Sequence, residues 1–163
     1  MRKKQTLIPL LLAVAVATSA HTACLGDVQV AQMAEHYAAR TPAANPEGLS
    51  DQDAACTRAK FNALLAQKMG KVIGYKAGLT NPAVQKRFNT DQPVWGALYE
   101  GMVRPGGSTV PAAFGARPLY EADLLVRVKD AAINHARTPE EVLQHINQVI
   151  PFIKLPDLVM QAP

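Results

Sequence analysis

The stretch of sequence that decides the fold is LYEADLLVRV, residues 119–128. Apolar and polar residues alternate through its first half, and successive side chains of a β-strand point to opposite faces. The stretch therefore predicts a strand whose Glu121 and Asp123 carboxylates project together from one face. The other face is predicted to be apolar and to consist of Tyr120, Ala122, Leu124, Val126 and Val128.

The Glu121/Asp123 pair has two interpretations. Carboxylates this close together repel each other unless a cation or a shared proton lies between them. A hard divalent ion such as Mg²⁺ prefers oxygen ligands and would relieve the repulsion. Alternatively, the pair belongs to a solvated strand face on which Arg127 offsets the charge. The spacing alone favours the solvated strand face, and the cation site stays open as the alternative.

A second informative segment is KVIGYKAGLT, residues 71–80, which predicts a short strand containing two glycines. Lys76 lies between Gly74 and Gly78, where the lack of side chains allows a ligand to approach the backbone closely. A lysine in such a place can stabilise an oxyanion or move a proton. From these residues alone, a surface lysine in a glycine-rich turn is the favoured interpretation.

The remaining patterns predict helices and strands around these two segments. Ser50 and Asp53 form a capping box before a helix that continues to Gly70. Further helices are predicted over 27–40, 81–88 and 138–149, and a last strand over 150–155. Residues 91–102 mix proline, glycine and aromatic residues and carry no assigned element. The chain is therefore predicted to be α+β, with N-terminal helices and a curved or barrel-like sheet.

The N-terminus predicts a secretory signal peptide over residues 1–23. Three basic residues at positions 2–4 precede an apolar run at 7–17 and small residues near a cleavage point after Ala20 or Ala23. The apolar run is too short for a stable membrane span and contains Pro9. We therefore expect a periplasmic or secreted protein.

The charge of the whole chain is +4, with 17 Lys and Arg against 13 Asp and Glu. Three of those basic residues lie in the signal peptide, which leaves 14 basic against 13 acidic residues. The remaining basic residues are scattered, so nothing in the mature protein selects a polyanion. Nucleic acid is not an expected partner.

Cys24 and Cys56 are the only cysteines. An oxidising compartment would permit a disulfide between them. If cleavage follows Ala23, Cys24 becomes the first residue and could carry a lipid anchor. Lipoprotein signals usually have leucine three residues before that cysteine, and His21 occupies this position. Simple release is therefore favoured over a lipid anchor.

Three motifs, in this order, carry a resemblance to a known family: GYKAGLT at 74–80, DQPVWG at 91–96 and EAD at 121–123. They resemble the 2-keto-4-pentenoate hydratase branch of the fumarylacetoacetate hydrolase superfamily. The resemblance runs from about Ser50 to Leu158. It implies one hydratase-like domain over residues 24–163, with a mixed, rolled sheet around Mg²⁺ or Mn²⁺.

The resemblance also implies roles for individual residues. Glu121 and Asp123 match metal carboxylates, and Lys76 matches a catalytic lysine near the substrate's carboxylate and keto oxygens. Asp91 and Gln92 match the segment that borders the substrate pocket. The implied reaction is that of a hydro-lyase, which adds water to a small 2-oxo-4-enoate and gives a 4-hydroxy-2-oxoacid. Decarboxylases and C–C hydrolases of the superfamily share these motifs.

The chain departs from the family at two points. Lys154 occupies the position of the third metal ligand, where the family has Glu, so it could instead pair with Glu121 and Asp123 and replace the metal. The chain also ends before further strands of the family fold. A homo-oligomer that completes the sheet, a shortened gene and a degenerate enzyme each explain this. Three functions follow: a metal-dependent hydratase, a catalytically inactive periplasmic binding or accessory protein, or a lipid-anchored envelope protein with no small-molecule role.

Overall fold

The computed structural model describes residues 24–161, so the predicted signal peptide, residues 1–23, lies outside the described part. Within that part, helices and strands both occur, which confirms the α+β class. The elements are α1 (Asp27–Ala39), α2 (Asp51–Met69), β1 (Val72–Gly78), α3 (Pro82–Arg87), β2 (Val94–Tyr99), β3 (Glu121–Val128), α4 (Pro139–Gln144) and β4 (Ile146–Lys154). Two short 3-10 helices cover Glu100–Met102 and Ala131–His135.

Helix α2 begins and ends where its sequence signals predict. The Ser50 hydroxyl accepts the Asp53 N–H at 3.2 Å, and the Asp53 carboxylate accepts the Ser50 N–H at 3.4 Å. These bonds satisfy two of the N–H groups that a helix start leaves unpaired. Gly70 ends the helix at φ +84°, a conformation that glycine adopts without steric cost. Helix α2 therefore has defined ends and spans about five turns before the strands that follow it.

The two long helices are joined covalently and by packing. Cys24 and Cys56 form a disulfide, which is one of the alternatives that the sequence left open. The rings of Tyr37 and Phe61 meet edge to face, with their centroids 6.1 Å apart. No helix within residues 24–161 has both the length and the apolar character required to cross a membrane.

Tyr99, at the end of β2, connects the first strand pair to α2. Its side chain is only 1% exposed, and its hydroxyl donates to the Asn62 carbonyl at 3.1 Å. Burial of a large aromatic ring with a satisfied hydroxyl strongly favours one packing arrangement. Tyr99 and Leu65 are the buried apolar residues at this junction.

The strands form two separate antiparallel pairs, β1 with β2 and β3 with β4. The predicted curved or barrel-like sheet is therefore not found in residues 24–161, because each strand there pairs with one neighbour only. No closed barrel is present in this part of the chain. The mixed, rolled sheet implied by the family resemblance stays a prediction.

Two boundaries predicted from the sequence were wrong, and one strand was missed. The helix predicted over 138–149 ends at Gln144, and β4 begins at Ile146 rather than at residue 150. Pairing with β3 explains this, because Val149 and Gln148 lie opposite Val126 and Arg127 in the register. Strand β2 lies inside the segment 91–102 to which no element was assigned.

The segment after β4 is anchored by Asp157 and Arg117. The Asp157 carboxylate accepts the N–H groups of Ala116 and Arg117 at 2.9 and 2.8 Å. The Arg117 side chain donates in turn to the carbonyls of Leu158 and Met160 at 3.2 and 2.6 Å. These bonds connect the segment that precedes β3 to the segment that follows β4.

Candidate functional site

The carboxylates of Glu121 and Asp123 share one face of β3, as the alternation predicts. Lys154 lies opposite Glu121 in the antiparallel register. Its Nζ is 2.6 Å from Glu121 Oε2 and 2.7 Å from Asp123 Oδ2. One ammonium group therefore bridges both carboxylates, and we call these three residues the lysine-bridged cluster.

The environment favours the charged forms of Asp123 and Lys154. The hydrogen bond from Lys154 lowers the pKa of Asp123 below its usual 3.8, and the Leu124 N–H, 2.8 Å away, contributes. The hydrogen bonds to Asp123 and then to Glu121 raise the pKa of Lys154 above its usual 10.5. Only 22% of the Lys154 side chain is exposed, so solvent competes weakly for its N–H groups.

In the β3–β4 pair, the face that carries the charged cluster is partly buried, whereas the apolar face is exposed. An amphipathic strand usually buries its apolar face instead. Leu125, Ile150 and Phe152 accompany the cluster on the half-buried face. On the apolar face, Leu124 and Ile153 are 61% and 65% exposed. The alternation predicted for β3 is thus present, but the charged face is the one that the rest of the described chain partly covers.

The residues present do not fit a divalent ion at this position. Within residues 24–161, no group of three or more His, Cys, Asp or Glu side chains is arranged to hold a metal. The space between the Glu121 and Asp123 carboxylates is taken by the Lys154 ammonium. A cation of this kind already balances much of the carboxylate repulsion that a metal would relieve. The Mg²⁺ or Mn²⁺ implied by the family resemblance stays a prediction.

Lys76 lies on β1, on a face bordered by glycines. It pairs with Gly96 of β2, and Gly74 and Gly78 occupy the same face two residues to either side. A Cβ on Gly96 would come within 3.4 Å of the Lys76 side chain, so glycine leaves the space in which that side chain lies. Lys76 is exposed, and it has no hydrogen bond or ion pair within residues 24–161. Its amine is available to a ligand.

Asp91 and Gln92 line a groove of about 890 Å³ between α2 and the segment 89–95. One residue in this groove, Arg58, was not singled out from the sequence, whereas Trp95 belongs to the motif DQPVWG. Arg58 of α2 places its guanidinium carbon 4.4 Å from the ring centroid of Trp95, a cation–π contact. No local pattern marks Arg58, because its partner lies on a different element. We call this surface the Arg58–Trp95 groove.

The predicted site residues thus fall into three places. Glu121 and Asp123 meet Lys154, whereas Asp91 and Gln92 line the Arg58–Trp95 groove. Lys76 points away from Trp95, because Lys76 pairs with Gly96 while Trp95 pairs with the adjacent Ala77. Within residues 24–161, no hydrogen bond or ion pair joins these three places.

No protein-family model matches the chain. Individual proteins are similar to parts of it. The 2-keto-4-pentenoate hydratase of Burkholderia vietnamiensis is 44% identical over 54 residues, which are 33% of this chain and 21% of that protein. The enzyme of the same name from Paraburkholderia xenovorans is 31% identical over 85 residues, 52% of this chain and 32% of its own length. The TodF product hydratase of Pseudomonas putida is 28% identical over 115 residues, 70% of this chain and 43% of that protein.

These similarities confirm the resemblance to the 2-keto-4-pentenoate hydratase branch of the fumarylacetoacetate hydrolase superfamily. Each similarity covers only part of this chain and only part of the related protein. The chain spans between 21% and 43% of the length of these three relatives. The activities in their names belong to the longer proteins.

Proposed function

We propose that this chain is a metal-free binding protein for a small 2-oxo acid, built from part of a hydratase-like fold. The observation that carries this proposal is the bridge from Lys154 to both Glu121 and Asp123. The catalytically inactive binding protein is thereby favoured over the metal-dependent hydratase.

The charge of Lys154 is the reason for this preference. A divalent ion at the two carboxylates would require the ammonium to leave two charged hydrogen bonds of 2.6 and 2.7 Å. The displaced ammonium would remain on the same strand end and would repel the ion. Asp and Glu ligands favour a divalent ion mainly through their negative charge. Here Lys154 already offsets one of the two negative charges.

The ligand class is inferred from the similarity and from the groove. The relatives are named for 2-keto-4-pentenoate, a short 2-oxo acid with a double bond. Asp91 and Gln92, which the family resemblance places beside the substrate, line the Arg58–Trp95 groove. A concave surface with a few polar groups and an aromatic wall suits a small organic acid.

A second candidate function is the hydratase itself, and Lys76 is the observation that favours it. Its amine is exposed on a glycine-bordered face and has no described partner. In this case Lys76 would stabilise the enolate oxygen of a 2-oxo-4-enoate, or move a proton, while water adds at C4. The product would be a 4-hydroxy-2-oxoacid.

Export to the periplasm or beyond is part of the proposal. The signal-peptide pattern over residues 1–23 supports it, and so does the Cys24–Cys56 disulfide, since such bonds persist in oxidising compartments. Both sulfur atoms are used in this bond, which favours release over a lipid anchor. The mass of the exported chain tests this: a chain starting at residue 21 or 24 is expected, whereas a diacylglycerol increment would contradict release.

Trp95 provides the test of function, because it is the only tryptophan and lies in the groove. The purified protein is titrated with 2-oxo-4-pentenoate while tryptophan fluorescence and ligand absorbance are recorded, with and without Mg²⁺ or Mn²⁺. We expect saturable binding without metal and no decay of absorbance. Metal-dependent decay would instead establish the hydratase, and the Lys76→Met variant would then abolish it. A fluorescence signal that never saturates would contradict both functions.

A further inference from the structure

We infer that Arg58 is the anion-binding residue of the Arg58–Trp95 groove and that this groove takes the carboxylate of a short, planar, unsaturated acid. The inference rests on the proposed function for the identity of the acid. It adds a residue on α2, outside the three family motifs, to the ligand site.

The exposed guanidinium of Arg58 contacts the Trp95 ring but is not neutralised by a carboxylate in the described part of the chain. It stacks 4.4 Å from the centroid of the Trp95 ring, and such stacking leaves the edge of the guanidinium plane free. Within residues 24–161, no carboxylate lies within ion-pair distance of it. A positioned arginine with a free donor edge is well suited to a bidentate contact with a carboxylate.

The other charged groups of the groove are compatible with an anionic ligand. Lys86 contributes a second positive charge, and Asp51 and Asp91 contribute two negative charges. None of these acids pairs with either cation in the described structure. The cations therefore keep their donors for a ligand, while the acids can accept from a hydroxyl group on it.

The rim of the groove is fixed by hydrogen bonds behind it. Gln85 is buried, and its side-chain amide donates to the Leu79 carbonyl at 2.7 Å. The Thr90 N–H donates to the Gln85 carbonyl at 3.1 Å, across Asn89 at φ +50°. The Gln92 N–H then donates to the Thr90 hydroxyl at 3.3 Å. A rim held in this way loses little freedom when a ligand binds.

The apolar side of the groove is suited to the hydrocarbon part of the ligand. Trp95 and Val94 are 53% and 49% exposed, and Pro93 lies beside them. A flat conjugated chain can contact the exposed parts of Trp95 and Val94 while its carboxylate reaches Arg58.

The test compares three probes on the purified protein by Trp95 fluorescence and calorimetry. The probes are 2-oxo-4-pentenoate, 2,4-pentadienoate, which lacks the keto group, and the uncharged amide of 2,4-pentadienoate. The variants are Arg58→Gln, Arg58→Lys, and Arg104→Gln as a matched control, since Arg104 is an exposed arginine outside the groove. Arg58→Lys keeps the positive charge and guards against a mere folding defect.

We expect Arg58→Gln to weaken binding of the two acids about tenfold or more, since a hydrogen-bonded charge typically contributes at least that factor. Arg58→Lys should weaken it less, Arg104→Gln should leave it unchanged, and the amide should bind poorly to every form. Equal binding by wild type and Arg58→Gln would overturn the inference and leave the proposed function intact. Arg58-dependent binding of both acids with equal affinity would support the groove but contradict a specific 2-oxo acid function. Failure of wild type to bind either acid would overturn both.

Discussion

Lys154 lies directly opposite Glu121 in the β3–β4 register, yet it reaches Asp123, one pleat further along β3, at almost the same distance. The two Nζ–O distances are 2.6 and 2.7 Å. The long lysine side chain can span this diagonal because neighbouring strands are separated by only about 5 Å. The last residue of β4 therefore links the first and third residues of β3 through one ammonium group, in addition to the backbone pairing of the two strands.

Removal of the Lys154 charge is expected to destabilise the protein. Lys154→Met keeps an unbranched side chain but leaves two carboxylates facing each other without a cation. Because both carboxylates are more than a third exposed and solvent screens the pairs, we expect a loss of about 1 kcal/mol or less in the free energy of unfolding. Urea denaturation followed by circular dichroism measures it. Lys129→Met is the matched control, because Lys129 is exposed and forms no ion pair within residues 24–161. A loss of the same size in both variants would contradict a specific role for the cluster.

The contribution of the cluster should depend on pH at both ends of the scale. Folding lowers the pKa of Asp123 below its ordinary value of 3.8. The stability that Asp123 contributes is therefore fully present above pH 3.8 and is lost as the pH falls through the lower pKa of the folded state. Folding raises the pKa of Lys154 above its ordinary value of 10.5. The stability that Lys154 contributes is therefore fully present below pH 10.5 and is lost as the pH rises through the higher pKa of the folded state. The difference in urea midpoint between wild type and Lys154→Met should therefore be widest near neutrality. A difference that stays constant from pH 3 to 11, roughly, would contradict this assignment.

Replacement of Lys154 by glutamate should create a cation site. Lys154→Glu places a third carboxylate where the ammonium lies, and three carboxylates on one face suit Mn²⁺ or Mg²⁺. We expect Mn²⁺ binding by the variant in electron paramagnetic resonance titrations, and none by wild type at the same concentrations. Lys154→Met, which removes the cation without adding a ligand, should bind more weakly than Lys154→Glu. Equal binding of Mn²⁺ by wild type would show that Lys154 does not exclude the ion.

Local signals in the sequence predicted those parts of the fold that depend on near neighbours. The cap predicted at Ser50 is present, and the helices predicted to begin near residues 81 and 138 are capped by Asn81 and Thr138. Each of these side chains needs only a backbone N–H two or three residues away. The common face of Glu121 and Asp123 follows from strand geometry in the same way. The pairing of Lys154 with both acids was one of the alternatives left open.

Features that depend on distant contacts could not be predicted in this way. Strand β2 was missed because Gly96 and the aromatic residues around it look irregular until they are paired with β1. Leu124 is exposed although it lies on the apolar face of β3. Burial of a face depends on which other elements cover the sheet, and the sequence of the strand does not specify these. Arg58 reaches Trp95 only because Tyr99 packs against α2 and brings the two elements together.

Asp157 is expected to be important for stability because it organises the loop before β3. Asp157→Ala would leave the N–H groups of Ala116 and Arg117 without their acceptor, at a cost of roughly 1–3 kcal/mol. Asp157→Asn keeps one acceptor oxygen and should lose less. Gly115→Ala should also destabilise, because a Cβ there would collide with the Asp157 carboxylate. Urea denaturation measures all three, with Glu47→Ala at an exposed acid as the control. Equal stability of Asp157→Ala and the control would show that other groups hold this loop.

The disulfide is expected to stabilise the α1–α2 pair, since it closes a loop across 32 positions of the chain. In the chain-entropy description, a loop of this length contributes roughly 3–4 kcal/mol by restricting the unfolded state. The double variant Cys24→Ala/Cys56→Ala should therefore unfold at lower urea concentration than the oxidised wild type. Wild type treated with a reductant should shift in the same direction, while the double variant should not respond to the reductant. Thermal unfolding with and without reductant provides the same comparison. An unchanged transition in reduced wild type would show that helix packing, including the Tyr37–Phe61 contact, holds α1 in place without the covalent link.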